Sequence, residues 1–263
     1  MTAAILPGAE AWSADGDGDR AQTGIVVTHG FTGNPSSTRP LAEALAGRGF
    51  RVELVRLPGH GTSVRDLAKT RYADWRQEVE RAASRLRGRC QHVVLVGLSM
   101  GGAICLDVAS DPDSTIAGVV TINAPVLDRE GLLARLAPQL EKILPYVPAS
   151  AAGLAKNDIA KGGEENAYAW ISAAAGNSFL QQLPRIRAQL KSLGTPLLVA
   201  YSPQDHSVPP ENSVALARLV PGPVETLVLT RSYHVATLDW DFELLLDRVT
   251  RFADRVTSPE RAI

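Results

Sequence analysis

Hydrophobic and polar positions follow two different rhythms along the chain. Short runs rich in β-branched residues alternate with longer segments whose apolar residues return every three or four positions. The short runs predict strands at residues 24–29, 51–56, 92–97, 116–123, 196–202 and 224–230. The longer segments predict helices that cover both faces of a sheet. This alternation predicts an α/β fold with a mostly parallel central sheet flanked by helices.

The helical rhythm is clearest in the segment "DWRQEVERAASRLRGR" at residues 74–89. Its apolar side chains fall on one stripe, formed by Trp75, Val79, Ala82 and Leu86. A stripe of this kind is typical of a helix that packs one face against a sheet. Similar patterns predict further covering helices at residues 39–49, 213–220 and 241–256.

The alternation stops between residues 124 and 183. We expect no strand in these roughly 60 residues, but a helical stripe is formed by Leu132, Leu133, Leu136, Leu140, Ile143 and Leu144. A structureless loop of that length is improbable in a compact domain. We therefore predict a helical cap at 124–183, inserted into a core made of residues 1–123 and 184–263. Ordinary packing is the favoured role of its apolar face, and contact with a substrate is the alternative.

Composition narrows the class of protein. The chain has 263 residues, of which 45% are hydrophobic, enough to bury a full core. Its formal net charge is -1, with no basic stripe, so we expect neither nucleic acid nor an anionic membrane surface as a partner. No signal-peptide pattern and no apolar run of membrane-spanning length are found, which predicts a soluble protein. Cys90 and Cys105 show no metal or disulfide spacing and fit a reducing cytoplasm.

The acidic stretch "DGDGDR" at residues 15–20 resembles half of a calcium-binding loop. Arg20 stands where that loop requires glycine, and Val26 stands where it requires a bidentate glutamate. The favoured interpretation is an acidic turn between two short strands, rich in glycine and aspartate as tight turns are.

The candidate chemistry begins at "GLSMGG", where a predicted strand gives way to a helix. Ser99 lies between Gly97 and Gly101, and small residues relieve the crowding of so tight a turn. The turn exposes the serine hydroxyl and directs the first helical N–H groups toward whatever it attacks, so Met100 can donate a backbone hydrogen bond to an oxyanion. This stretch lacks the Gly-Lys-Ser/Thr ending of a phosphate-binding P-loop and the wider Gly-x-Gly-x-x-Gly spacing of a dinucleotide-binding fold.

A serine nucleophile needs a histidine base and an orienting carboxylate, in the chain order serine, acid, histidine. His234 follows the last predicted strand, and Asp205 follows the strand at residues 196–202. The other histidines precede the serine or adjoin this acid: His29, His60, His92 and His206. Taken singly, an aspartate in a loop is usually a turn residue and a lone histidine is usually structural. Together, Ser99, Asp205 and His234 follow strands that meet at one sheet edge, which predicts a catalytic triad.

Asp239 and Asp241 are the competing carboxylates near the predicted base. We assign them to the start of the last helix, where acidic residues complement the positive end of the helix dipole. This assignment predicts that Asp239→Asn costs little activity.

A second oxyanion donor is expected in the loop "THGFTGNP", after the first predicted strand. Gly30 and Gly33 allow a close backbone approach there, so the N–H of Phe31 is the natural partner of Met100, with His29 as an organiser of the loop. Asn123 ends the strand at 116–123 near the same site. It is a candidate polar contact for the alcohol part of a substrate, although a turn-capping role is favoured.

Five motifs occur in order along nearly the whole chain outside the insertion: "HGFTGNP", "RLPGHG", "GLSMGG", "SPQDHSVPP" and "SYHVATLD". In this series the chain resembles the α/β-hydrolases, and more narrowly the bacterial monoacylglycerol lipase and carboxylesterase group. The resemblance implies Ser99 as nucleophile, Asp205 and His234 as its partners, and Phe31 and Met100 as backbone oxyanion donors.

The resemblance also implies features of the substrate site. A mobile cap is expected over an apolar acyl channel, beside a narrower polar pocket for glycerol. The expected partner is a small lipid or ester, with transient lipid contact through the cap and no stable membrane insertion. No metal or organic cofactor is required for the implied chemistry.

Three alternatives stay open. A general carboxylesterase or thioesterase would use the same triad, because the choice of leaving group depends on the cap. A protein of this fold can also bind ligands without turnover, although the intact set of nucleophile, acid and base argues against that. A haloalkane dehalogenase would need aspartate in place of Ser99.

Overall fold

The computed structural model describes residues 3–128, 141, 143–154 and 157–258. Its main sheet has seven strands in the order β1-β3-β2-β4-β5-β8-β9. They are β1 (Trp12–Ala14), β2 (Thr23–Thr28), β3 (Arg51–Leu54), β4 (His92–Leu98), β5 (Gly118–Ile122), β8 (Leu197–Tyr201) and β9 (Val224–Val228). All neighbours pair in parallel except β1, which is antiparallel to β3. The six strands predicted from the sequence are confirmed, as is the mostly parallel sheet.

Helices cover both faces of this sheet. They are α1 (Arg39–Gly47), α2 (Val64–Leu67), α3 (Tyr72–Arg87), α4 (Met100–Ala109), α5 (Ala173–Leu180), α6 (Leu183–Leu190), α7 (Glu211–Leu219) and α8 (Phe242–Thr257). Helices α3, α4, α6 and α7 contribute to one buried cluster, and α1 and α8 contribute to the other. The central strands are buried on both faces, which explains why their sequences read as continuous apolar runs.

Strand β1 was implied by the turn expected at residues 15–20, but its bounds were not predicted. It is only three residues long and pairs with β3 through the register Ser13↔Glu53. So short a run carries no measurable alternation of its own, and its strand conformation depends on the ladder that β3 supplies. The acidic turn expected at residues 15–20 lies between β1 and β2, as predicted.

The insertion at residues 124–183 contains strands, so the expectation that it has none is wrong. Strand β6 (Tyr146–Pro148) and strand β7 (Trp170–Ser172) form a separate antiparallel pair. Each strand is too short for its periodicity to be read, and Pro148 sits at a strand end of a two-stranded sheet, where proline is tolerated. The pairing is therefore a tertiary contact that local sequence does not announce.

Only part of the predicted helical stripe can be compared with the structure. Leu132, Leu133, Leu136 and Leu140 lie outside the described residues, whereas Ile143 and Leu144 are exposed. At the other end of the insertion, Ala175 and Phe179 of α5 belong to the buried cluster on the α3 face. The division into a core and a cap stays a prediction.

None of the helices in the described part of the chain is long and apolar enough to cross a bilayer. The two cysteines are unpaired: Cys90 is half-buried and Cys105 is buried. Burial raises the pKa of the Cys105 thiol to about 12, so the thiolate form, which is the reactive one, is scarce at neutral pH.

Candidate active site

Ser99 occupies a strained turn between β4 and α4. Its backbone angles are φ 55° and ψ -124°, in a region that side chains other than glycine rarely adopt. A Cβ atom at Gly97 would lie 2.3 Å from the carbonyl carbon of Gly101, and one at Gly101 would lie 2.6 Å from the carbonyl oxygen of Thr28. Both glycines are therefore required by the close approach of backbone segments. The turn is anchored by the N–H of Ser99, which donates to the carbonyl of Ile122 at 2.8 Å.

His234 and Asp205 meet at the carboxyl edge of the sheet. The Nδ1 atom of His234 lies 2.7 Å from Oδ2 of Asp205. The other carboxylate oxygen, Oδ1, accepts the N–H groups of Ser207 and Val208 at 2.7 and 2.8 Å. These bonds fix the orientation of the Asp205 carboxylate, whose side chain is 1% exposed. His234 then donates from Nδ1, and Nε2 of the neutral ring stays available as a proton acceptor.

The pKa of His234 reflects a competition between burial and nearby charge. Burial is the largest single influence and lowers it, whereas the charge of Asp205 and the hydrogen bond to that carboxylate raise it. The carboxylates of Glu165 and Asp158 add to the increase, so the pKa of His234 lies above its ordinary value. The site therefore stabilises the imidazolium that forms when this ring accepts a proton.

The loop after β2 lies against Ser99. A Cβ atom at Gly30 would be 3.1 Å from Cβ of Ser99, so only glycine allows this approach without displacement. The ring of Phe31 packs against Trp75, with 5.7 Å between the ring centroids. Phe31 directly follows Gly30 in this loop, and Met100 directly follows Ser99 as the first residue of α4. The two predicted oxyanion donors thus lie on segments adjacent to the serine.

The buried side chain of His29 bonds this loop to the segment that follows β3. It is fully buried, its Nε2 accepts the N–H of Leu57 at 3.1 Å, and its Nδ1 donates to the carbonyl of Gly30 at 2.9 Å. Burial lowers the pKa of His29 to about 4. His60, whose ring centroid lies 5.1 Å from that of His29, also has a pKa well below the ordinary value, because of burial and the neighbouring histidine. Both rings are neutral at pH 7.

This buried pair predicts a loss of stability in acid. The unfolded chain protonates a histidine near pH 6.5, whereas folded His29 does so only near pH 4. Protons therefore bind preferentially to the unfolded chain as the pH falls through this window, and about 3 kcal/mol is lost from His29 alone. Urea unfolding of the parent protein and of His29→Gln, compared at pH 7 and pH 4.5, measures the effect.

We expect His29→Gln to be less stable at pH 7 but to lose less stability on acidification than the parent. His92→Gln, at a partly exposed histidine at the start of β4, is the matched control and should keep the parent's pH dependence. Equal slopes for the parent and His29→Gln would contradict this account.

Asn123 is buried and turned toward the protein. Its Nδ2 donates to the carbonyl of His234 at 2.8 Å, and its Oδ1 accepts the N–H of Ser202 at 2.8 Å. Its backbone φ of 50° is typical of asparagine in a left-handed turn. The geometry favours the turn-anchoring role over the contact with substrate that the sequence also suggested, because these bonds link the ends of β5 and β8 to the loop of His234.

Asp239 does not have the role that its position in the sequence suggested. Helix α8 begins at Phe242, three residues later, and the carboxylate is buried with four backbone N–H groups as donors. The donors are Tyr233, Ala160, Lys161 and Trp240. An asparagine has one acceptor oxygen in place of two, so the expectation that Asp239→Asn costs little is not supported by this environment.

Two functional candidates in the insertion were missed by the sequence analysis. Glu165 is partly buried, and its Oε2 would lie 3.9 Å from a Cβ atom at Gly33 in the loop after β2. Asp158 is buried and contacts His206. No motif marks either residue, because their place in the site depends on the path of the insertion. Among the described residues, no group of three or more metal-binding side chains converges on one point.

Comparison with known proteins identifies the family. Residues 25–251 match the alpha/beta hydrolase family. A thermostable monoacylglycerol lipase of Bacillus sp. is 37% identical over 251 residues, which cover 94% of this chain and 95% of that protein.

Two solved structures extend the comparison. A structure of the metagenome-derived lipolytic enzymes LipS and LipT is 34% identical with a TM-score of 0.87, and the match covers 96% of this chain and 100% of that one. A monoacylglycerol lipase of Paleococcus ferrophilus, 20% identical with a TM-score of 0.78 over 94% of this chain and 100% of that one, shares the fold. The chain therefore belongs to the alpha/beta hydrolase family and is an ester hydrolase.

Proposed function

We propose that this protein cleaves monoacylglycerols to glycerol and free fatty acid through an acyl-enzyme on Ser99. The observation that carries the proposal is the 2.7 Å bond between His234 and Asp205 at the same sheet edge as the strained Ser99 turn. The 37% identity to a monoacylglycerol lipase supports the choice of substrate. No step requires a metal or an organic cofactor.

Acylation begins with the Ser99 hydroxyl. His234 Nε2 takes the hydroxyl proton while Oγ forms a bond to the ester carbonyl carbon. The carbonyl π electrons move onto oxygen, and the N–H groups of Phe31 and Met100 stabilise the resulting oxyanion. Asp205 holds the imidazolium in place. The C–O bond to the alcohol then breaks, and the alcohol leaves with the proton from His234.

Deacylation repeats these steps with water. His234, again neutral, takes a proton from a water molecule as its oxygen attacks the acyl carbonyl. The same two N–H groups stabilise the second oxyanion. The bond between the acyl carbon and Ser99 Oγ breaks, and the serine regains its proton from His234. The net reaction is ester plus water to alcohol plus acid, which balances without a further reactant.

The insertion supplies contacts above the oxyanion loop. Asn34 Nδ2 donates to the carbonyl of Asn166 at 3.0 Å, and the N–H of Tyr168 donates to the carbonyl of Thr32 at 3.0 Å. Glu165 directly precedes Asn166 in the chain and lies close enough to His234 for their charges to interact. We infer that the insertion acts as the cap and that Glu165 provides a polar end to the site, suited to the hydroxyl groups of glycerol.

This arrangement predicts a preference for small glycerides. A cap seated over Ser99 leaves limited room for the second and third chains of a triacylglycerol. We expect monoacylglycerols to exceed triacylglycerols of the same acyl chain at least about tenfold in kcat/KM, a difference of about 1.4 kcal/mol in transition-state binding. Initial rates on mono-, di- and triacylglycerols across chain lengths measure it.

Two controls sharpen the measurement. A methyl ester of the same acid shares the acyl part but lacks the diol, and a thioester tests the leaving group. Equal rates on the methyl ester and the monoacylglycerol would favour the alternative of a general carboxylesterase, and a faster thioester would favour a thioesterase. Equal or faster hydrolysis of emulsified triacylglycerol would contradict a closed cap.

We also infer a cytoplasmic location. It is supported by the two unpaired cysteines, which fit a reducing compartment. Cell fractionation followed by detection of the protein in each fraction tests this inference.

A further inference from the structure

Asp158 of the insertion contacts the loops of both proposed partners of Ser99. Its Oδ2 accepts the N–H of His206 at 3.0 Å, and its Oδ1 lies 2.7 Å from Nδ1 of the same residue. Its backbone carbonyl accepts the N–H of Val235 at 3.0 Å. His206 directly follows Asp205, and Val235 directly follows His234. One residue of the insertion is therefore bonded to the chain neighbour of the acid and to the chain neighbour of the base.

Asp239, which follows His234 in the chain, also bonds to both the insertion and the loop of the base. Its Oδ2 accepts the N–H of Ala160 at 2.6 Å and the N–H of Tyr233 at 2.9 Å. Its Oδ1 accepts the N–H of Lys161 at 3.0 Å. Tyr233 directly precedes His234. The loop of the base is thus held to residues 158–161 on both sides of the histidine.

We propose that Asp158 and Asp239 are positioning residues, through which residues 158–161 of the insertion hold Asp205 and His234 in the geometry that proton transfer needs. This inference rests on the proposed function of Ser99, Asp205 and His234. We call the two carboxylates the clasp.

The burial and bonding of the clasp distinguish it from surface pairing. The side chain of Asp158 is 4% exposed, and Asp239 is 1% exposed as a residue. Hydrogen bonds to a buried carboxylate are stronger than those between neutral groups, and they order the loops that donate them. A displacement of about 1 Å at reacting groups can lower a rate about 10²-fold, so small changes in these loops reach the chemistry.

Asp158 also contributes charge at His234. The carboxylates that raise the pKa of His234 are Asp205, Glu165 and Asp158, of which the last two belong to the insertion. Removing the charge of Asp158 should therefore lower that pKa. Because the base must be neutral to accept a proton, the acid limb of the kcat/KM profile should move to lower pH.

The test compares four variants of the full chain: Asp158→Ala, Asp158→Asn, His206→Ala and the double variant Asp158→Ala/His206→Ala. Asp128→Asn, an exposed carboxylate of the same insertion, is the matched control. For each protein, kcat, KM, the pH profile and the rate of Ser99 labelling by a serine-reactive phosphonate are measured. Urea unfolding midpoints show whether the fold is retained.

We expect Asp158→Ala to lower kcat and the labelling rate by the same factor, about tenfold, with KM changed less than twofold. The double variant should be no slower than Asp158→Ala, because Asp158→Ala has already removed the carboxylate that the His206 imidazole contacts. Asp158→Asn can keep a bond to the N–H of His206, so it should recover most of kcat while its acid limb moves to lower pH. Asp128→Asn should match the parent in all measurements.

Unchanged labelling and kcat in folded Asp158→Ala would overturn the proposal, as would a change in KM alone. Asp239→Asn tests the other carboxylate of the clasp independently. The asparagine has one acceptor oxygen in place of two, so it loses bonds to the insertion or to the loop of His234 and should also slow labelling. A folded Asp239→Asn with the parent's labelling rate would contradict the proposal. Failure of the underlying function is distinguishable, because the phosphonate would then label the parent at a residue other than Ser99.

Discussion

Ser99→Ala is expected to lower kcat by about 10⁶-fold while the protein stays folded. A loss of this size is found when the nucleophile of a serine protease is removed. The residues of a triad act as a unit, so the acid and the base contribute little once the reacting oxygen is gone. Alanine keeps the Cβ atom, so the strain at φ 55° is unchanged. Steady-state turnover of a monoacylglycerol and the urea unfolding midpoint measure the two parts of the prediction.

A phosphonate probe adds a direct readout. It should label the parent at Ser99 alone, and mass spectrometry of the digested protein identifies the site. Ser110→Ala, which removes a hydroxyl at the other end of α4, is the matched control and should keep full turnover and labelling. Labelling at another serine, or near-normal turnover by Ser99→Ala, would contradict the assignment of Ser99 as the nucleophile.

Asp205→Asn is expected to lower kcat by about 10⁴-fold, as in the corresponding substitution of a serine protease. The structure supplies the reason. Oδ1 of Asp205 accepts two backbone N–H groups, so the amide oxygen of asparagine would take that place. The amide NH₂ would then face Nδ1 of His234 and force the proton onto Nε2, where it blocks transfer from Ser99.

The matched control for Asp205→Asn is Asp247→Asn on α8. Asp247 is exposed and pairs with Arg251 and Arg48 at the surface, so its loss should change kcat little. The steady-state kcat and the phosphonate labelling rate of both variants test whether Asp205 is the orienting acid. A larger loss for Asp239→Asn than for Asp205→Asn would show that the orienting acid has been assigned to the wrong residue.

The structure gives Asp239 a different role from the one that its position in the sequence suggests. From the sequence, Asp239 was expected to be a dispensable residue at the start of the last helix. Its four backbone donors give it a role in holding the loop of His234, so the expected effect of Asp239→Asn rises above that of a surface substitution. Asp205 keeps the larger expected effect, because its carboxylate contacts the imidazole itself.

The sequence by itself determined the sheet and the neighbourhood of the candidate site. Strand and helix periodicities are local, so each parallel strand of the main sheet and the covering helices α1, α3, α7 and α8 could be predicted separately. Parallel strands share one carboxyl edge, so residues that follow them are brought together whatever the details of packing. This is why Ser99, Asp205 and His234 could be placed at one edge from their order in the chain.

Only the tertiary structure decided how the insertion meets that edge. The bond between His206 and Asp158 spans 48 positions of the chain, and the bond between Asp239 and Ala160 spans 79. Neither residue pair shares a repeat, a turn or a helix face, so no local pattern marks them. The same holds for β6 and β7, whose three-residue strands form only because the insertion brings them side by side. Contacts of this kind depend on the closure of a long loop, and their partners are chosen by packing in three dimensions.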